Sequence, residues 1–317
     1  MIASTVAQGQ QELRRLTIGI QSSPAATLLM VAKEQDLFLE QGLDVQLVEF
    51  TAGKFAMQAF LAGSLDAVVS GELPVLLASL QERSFQVITE VVANSKNETR
   101  LIARKTSPTD NSSNYFLSKK RVLSTSFGGG PEYFTYLALQ ALKVTSDQVT
   151  IINQKPEDMP AAIASGSVDL ISIFDPFATF AEKLLKQQAI EFPLQLNYRQ
   201  HYLLSLANKS LAEDSNIALL LLRALTKAGD YIKTNPSQSQ HILKKYTKLS
   251  LEVIKNLWGN FEFYPALTSD LQTTWKDQLQ WLQTKKQMQP TKNYDQSLLI
   301  NPKYLVQVKA ETTSTLK

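Results

Sequence analysis

The sequence contains no cysteine and only two histidines among its 317 residues. Disulfides, thiolate metal ligands and cysteine nucleophiles are thereby excluded, and a zinc centre would have little to draw on. Dense Lys/Arg blocks are also missing, and the net charge is only +3, so the electrostatic footprint of a nucleic-acid binder is absent. No apolar run reaches the roughly 18 residues needed to cross a bilayer. Neither a Gly-x-Ser-x-Gly elbow nor a P-loop occurs. The expectation is a protein with no cofactor, no metal and no nucleic-acid partner, built for binding and not for catalysis. Residues 1–15 lack the apolar core of a secretory signal and read as a disordered tail.

What is present is an ordinary globular balance, 44% hydrophobic and 19% charged, on a chain long enough for two lobes. Strand and helix alternate. Leu16–Ile20 reads as a buried strand, and Gln21-Ser-Ser-Pro24 opens a helix, with Ser22 or Ser23 as its cap. Leu43–Phe50 and Leu65–Ser70 follow as strands, with Gly53-Lys54 and Gly71-Glu72 at the turns into helices. Phe85–Ala93 and Arg100–Arg104 read as further strands, and Lys105–Ser118 as a loop where the chain changes lobe. A second series then begins: strands Arg121–Ser126, Val149–Asn153 and Val168–Phe174, each followed by a helix. Glu191–Leu196 and Tyr202–Ala207 read as strands leading back. The remainder is helical, with segments 215–234, 236–246, 250–259 and 268–288. Alternation of this kind implies an α/β fold with mainly parallel sheets. The expected division is 16–103 and 201–310 in one lobe, 104–200 in the other, and a disordered tail over 311–317.

The chain also repeats itself. Ala62–Glu72 lies over Ser165–Asp175 without a gap, both containing Gly-Ser-x-Asp and each preceded by a short Ala-rich helix. Two lobes of one plan place their strand ends and helix N-termini at a shared cleft, where open α/β sheets bind ligands.

The residues expected to line that cleft follow the strands. They are Gln21, Ser22, Ser23, Gly53, Lys54, Gly71 and Glu72 in the first unit, and Ser126, Phe127, Gly128, Gly129, Gly130, Tyr133 and Asp175 in the second. Pro131 after three glycines marks a helix start, so the loop offers backbone amides at the positive end of a helix dipole. Glu72 and Asp175 are equivalent in the repeat. Either they cap the proline-marked helices that follow, or one receives a ligand N–H. Phe127, Tyr133, Phe174 and Phe177 either enclose an apolar ligand body or belong to the core. His201 and His241 read as structural or solvent-facing.

Val45–Gly53, Ala62–Asp66, Gly71–Pro74, Ile151–Asn153 and Met159–Asp169 with Asp175-Pro-Phe177 resemble the substrate-binding proteins of ABC importers for aliphatic sulfonates, taurine and nitrate, a group similar to the binders of thiamine pyrimidine precursors. The resemblance implies a type II periplasmic-binding-protein fold with two hinge crossovers. It implies a monomer, periplasmic or membrane-anchored outside the cytoplasm, whose export signal is not in this sequence. Its partners would be a small-molecule ligand and an inner-membrane permease, with the anionic head group held at Ser124–Gly130. The sequence departs from that pattern at Lys54, where relatives often have proline, at Asp175, where many have Glu, and at the triple glycine, which replaces hydroxyl donors. A neutral aminopyrimidine remains the alternative ligand, and a cytosolic enzyme of the menaquinone-biosynthesis kind the alternative class.

Overall fold

The computed structural model describes residues 13–81, 84–94, 96, 98–117, 119–285 and 295–315. The chain opens with β1 (Arg14–Gln21), α1 (Thr27–Glu34), β2 (Leu43–Phe50), α2 (Gly53–Leu61), β3 (Ala67–Gly71), α3 (Glu72–Gln81) and β4 (Phe85–Asn94). Then come β5 (Arg100–Arg104), β6 (Arg121–Thr125), α4 (Gly130–Ala141), β7 (Val149–Asn153), α5 (Met159–Ser165), β8 (Leu170–Ile173), α6 (Phe177–Leu185) and β9 (Ala189–Glu191). The chain returns through β10 (Gln200–Ala207) and ends in α7 (Asn208–Glu213), α8 (Ile217–Thr234), α9 (Pro236–Thr247), α10 (Leu251–Trp258), β11 (Phe261–Glu262), α11 (Ser269–Thr284) and α12 (Lys303–Thr315).

Two sheets result, ordered β11-β4-β10-β3-β1-β2 and β7-β6-β8-β5-β9. In each, a parallel β-α-β-α-β unit is followed by an antiparallel neighbour, β10 beside β3 and β5 beside β8. Parallel strands covered by helices on both faces can be apolar along their length, and β1, between β3 and β2, is buried from Ile18 onward.

The internal repeat has a structural meaning. Gly63 and Gly166 hold φ values of +78° and +81° just past the ends of α2 and α5, a conformation that costs a side chain about 1 kcal/mol or more. Asp66 Oδ2 accepts from the Thr17 N–H at 2.7 Å, and Asp169 Oδ2 from the Val122 N–H at 2.8 Å. Each carboxylate thus ties the entrance of its lobe's third strand to the first. The Gly-Ser-x-Asp spacing builds this tie twice.

Four expectations are corrected. β5 belongs to the second sheet, pairing with β8 and β9, so the first crossing lies between Asn94 and Arg100 and not in Lys105–Ser118. The expected strand Glu191–Leu196 survives only to Glu191, because Pro193 cannot donate to a ladder and the chain is already leaving the lobe. Arg14 and Arg15, placed in a tail, begin β1; residues 1–12 lie outside the described residues. The presumed tail after Ala310 continues α12 to Thr315, packed through Tyr304, Leu305 and Val308 and pinned by Arg223 on Glu311 at 2.9 Å. The end of the expected 268–288 helix falls outside the described residues, and the helix seen closes at Thr284. The unforeseen α7 and β11 are short.

α8 presents Ile217, Leu221, Leu222, Leu225, Ala228 and Ile232 to the first lobe's core at helical spacing. α11 lies against α3 and carries Trp275, fully buried, so the C-terminal helices belong to the first lobe and brace the cleft from that side.

Candidate functional site

At the ends of β1, β3, β6 and β8 the lobes close on a cavity of about 30 Å³, room for about one water molecule. It is lined by Gln21, Gly53, Lys54, Gly71, Glu72, Ser126, Gly129 and Gly130, all anticipated from sequence, and by Ala52, Pro74, Pro131, Phe174, Gln200 and Tyr202. Ser22, Ser23, Phe127, Gly128, Tyr133 and Asp175 lie outside it.

From the first lobe, Gln21 accepts the Gly53 N–H at 2.9 Å and donates to Ser23 Oγ at 2.9 Å. Ser23 in turn accepts the Ala25 N–H and is the cap of the turn into α1, whereas Ser22 reaches outward to Glu49. A side chain at Gly53 would be crowded: a Cβ there would sit 3.0 Å from Ser70 Oγ and 3.2 Å from Ser70 Cα. That close approach sets the start of α2 against the end of β3. Lys54 then crosses to the other lobe, its Nζ donating to the Phe127 carbonyl at 2.7 Å. Burial holds this ammonium below the usual lysine range, against the opposing fields of Glu132 and Glu157.

From the second lobe, the glycine loop bends at Gly128, φ +73°. The Gly128 N–H donates to Glu132 in the first turn of α4 at 2.7 Å, and Glu132 is paired with Lys285 at 2.5 Å. Gly129 and Ala52, the residues preceding α4 and α2, make no side-chain capping bond. The Gly129 and Gly130 amides carry no hydrogen bond among the described residues, and the buried Ser126 hydroxyl has no partner. Two helix N-termini and one ammonium therefore converge on a small space, a combination that favours negative charge.

Glu72 and Asp175 take different roles despite their equivalence in the repeat. Glu72 is 2% exposed and its carboxylate is fully engaged by protein. Tyr198 OH and Gln278 Nε2 donate to Oε1, and the His201 N–H donates to Oε2 at 3.1 Å. Asp175 caps α6, Oδ1 accepting the Thr179 N–H at 3.0 Å and its hydroxyl at 2.6 Å, with Arg100 Nη2 at 3.2 Å.

Tyr133 belongs to the core, edge-on to Tyr198 with centroids 5.2 Å apart and beside Trp281 at 5.1 Å. Burial pushes its phenol up to about 12. Phe177 packs on Phe174 in the second lobe's core, and only Phe174 of this pair reaches the cavity. His201 is buried with Nδ1 2.7 Å from Glu90; His241 is exposed and bonded to the Ser237 carbonyl.

Sequence reading missed Gln200 and Tyr202, which enter on the returning β10. Gln200 holds the two crossovers together, accepting the Glu98 N–H at 3.1 Å and donating to Thr99 Oγ1 at 3.1 Å. The signal available was the polar pair Gln200-His201 at the start of an otherwise apolar strand.

Residues 9–245 match the NMT1-like family. The chain belongs to that family. A protein of Bacillus subtilis (strain 168), provisionally named an aliphatic sulfonates-binding protein, is 24% identical to this NMT1-like chain over 270 residues, 82% of this chain and 78% of the relative. Two solved structures share the fold. The ligand-binding component of an ABC-type import system from Staphylococcus aureus, with zinc bound, is 14% identical with a TM-score of 0.77, over 93% of this chain and 99% of that one. The alkanesulfonate-binding protein SsuA from Xanthomonas axonopodis pv. citri, bound to MOPS, is 18% identical with a TM-score of 0.72, over 88% of this chain and 95% of that one. The NMT1-like chain thus has the two-lobed fold of the periplasmic binding proteins. No helix among the described residues is long and apolar enough to cross a membrane.

Proposed function

We propose that the protein is the solute-binding component of an ABC importer, working outside the cytoplasm. In this reading it captures a small organic anion of the sulfonate class between its lobes and delivers it to a membrane permease. The observation that carries it is Lys54, the only cationic side chain among the described residues that line the cavity, set between the start of α2 and the unbonded amides at the start of α4. An entering sulfonate would take the Lys54 ammonium from the neutral Phe127 carbonyl, exchanging a bond with charge on the donor alone for one with charge on both partners. Because the cavity holds about one water, the lobes must part to admit a ligand. Contacts to both lobes would then favour reclosure by their difference between the open and closed states.

The aminopyrimidine alternative needs a carboxylate acceptor at the site. Glu72 is the only carboxylate among the described residues of the lining, and both its oxygens serve protein donors. An enzyme reading is weaker still, since the chain has no cysteine and His201 is occupied with Glu90 away from the cavity. Calorimetric titration with ethanesulfonate, taurine, nitrate and an aminopyrimidine tests the assignment. Binding of a sulfonate in preference to the pyrimidine is expected; the pyrimidine alone binding would overturn the anion reading.

A further inference from the structure

The glycine loop is held by the first lobe at two points. Lys54 takes the Phe127 carbonyl at 2.7 Å. Lys285, just past the end of α11, sets its ammonium 5.6 Å from the centre of the Phe127 ring and 4.8 Å from that of Trp281. The same ammonium lies 2.5 Å from Glu132 Oε1, while Glu132 Oε2 accepts the Gly128 N–H at 2.7 Å. Trp281 packs beside Tyr133 and Tyr136 of α4, with centroids 5.1 and 5.8 Å away, so the ion pair sits on an ordered contact between the lobes.

Glu132 is the third residue of α4, the place from which a glutamate reaches back over the cap and satisfies an amide that the helix leaves open. It is therefore an anion already standing at the helix N-terminus that the cleft offers to its ligand. Of the two carboxylates whose fields reach Lys54, Glu157 is exposed and screened by water. The Glu132 side chain is only 9% exposed, so its field persists. Two anions at one helix end repel each other unless a cation stands by. Around the glycine loop, Lys54 against Glu132 leaves no net charge; adding Lys285 leaves one positive. We infer that Lys285 sets the charge the cleft presents to its ligand, cancelling Glu132 from the other lobe and holding that carboxylate on the Gly128 amide. It is a positioning residue and touches no ligand itself. Because α11 belongs to the first lobe and α4 to the second, cancellation is complete only in the closed state, and closure itself then raises affinity for an anion. That consequence for affinity rests on the anion reading of the cleft; the cancellation of charge does not.

Four forms of the whole chain separate charge from bracing: the parent, Lys285→Met, Glu132→Gln and the two changes combined, the glutamine keeping an acceptor for Gly128. Titration calorimetry with ethanesulfonate should show binding weakened at least tenfold in Lys285→Met and tightened in Glu132→Gln. The combined variant should return to within about threefold of the parent. In ligand-free protein, acetylation of Lys54 by acetic anhydride across pH, read by mass spectrometry, gives the midpoint of its amine. That midpoint should rise in Lys285→Met, fall in Glu132→Gln and return in the combination, since an uncancelled carboxylate favours the ammonium. Were Lys285 only a brace, Glu132→Gln would weaken binding and the combined variant would bind no better than Lys285→Met. Either result, or a Lys54 midpoint unmoved by Lys285→Met, overturns the inference. A parent that binds neither ethanesulfonate nor nitrate would overturn the anion reading alone, and the Lys54 midpoints would still decide the part played by Lys285.

Discussion

Lys54 of the first lobe bonds the backbone carbonyl of Phe127 in the second at 2.7 Å, so the cation of the cleft is also a strap across it. Replacing it with methionine keeps the apolar stem and removes the charge. Lys54→Met is expected to weaken ethanesulfonate binding at least tenfold by calorimetry while thermal unfolding changes little, since the ammonium is only half-buried and the bond it gives up is to a neutral carbonyl. Unchanged affinity would remove Lys54 from the anion site.

The three glycines of the loop are not equivalent. Gly128 alone is left-handed, at φ +73°, so Gly128→Ala should cost about 1–2 kcal/mol in urea unfolding. Gly130→Ala would bring a methyl 3.2 Å from Gln200 Nε2, disturbing the residue that clasps the crossovers. Gly129→Ala meets nothing closer than 3.5 Å and should leave stability nearly unchanged while narrowing the cavity, an effect visible as weaker binding of larger sulfonates before small ones.

Glu72→Ala should be among the most damaging single changes. It strands Tyr198 OH, Gln278 and the His201 N–H in the interior, and removal of one member of such a network costs about 3–5 kcal/mol. Chemical denaturation measures this directly. A loss below about 1 kcal/mol would show that Glu72 is free for a ligand after all.

The Glu98 carboxyl titrates near 8 in the folded protein against an ordinary value of 4.5, chiefly through desolvation. Between those values the folded state holds a proton that the unfolded state has lost, so stability is fully present below about pH 4.5 and declines as pH rises toward 8. One proton corresponds to about 1.4 kcal/mol per pH unit. Glu98→Gln should flatten this part of the stability profile and be the more stable protein at pH 8. Parallel profiles for parent and variant would contradict it.

Most of the architecture was legible because local chemistry agrees with the fold. β2, β5 and β7 run over the residues that alternation and turn signals marked, and the Gly-Ser-x-Asp repeat announced two lobes of one plan. What stayed hidden depends on partners far away in sequence. Nothing in Arg100–Arg104 says that its neighbours are β8 and β9, since an apolar strand after a polar turn reads equally as the second half of a hairpin. Likewise Glu72 and Asp175 look alike in the chain. They differ only because Tyr198, Gln278 and the His201 amide surround one, whereas Arg100 and the first turn of α6 surround the other. Gln200 and Tyr202 reach the cleft on β10, whose return the sequence suggested but whose place between β3 and β4 depends on partners distant in the chain.

The placement of β10 has a consequence for how the chain is made. The second sheet is assembled from one unbroken stretch, β5 to β9, but the first lacks its central strand between β3 and β4 until Gln200–Ala207 is available. A polypeptide emerging N-terminus first therefore completes the later lobe before the earlier one, and the opening hundred or so residues wait with two strand edges exposed. Chains truncated after β9 should accordingly show a protease-resistant core from β5 to β9 and none from β1 to β4.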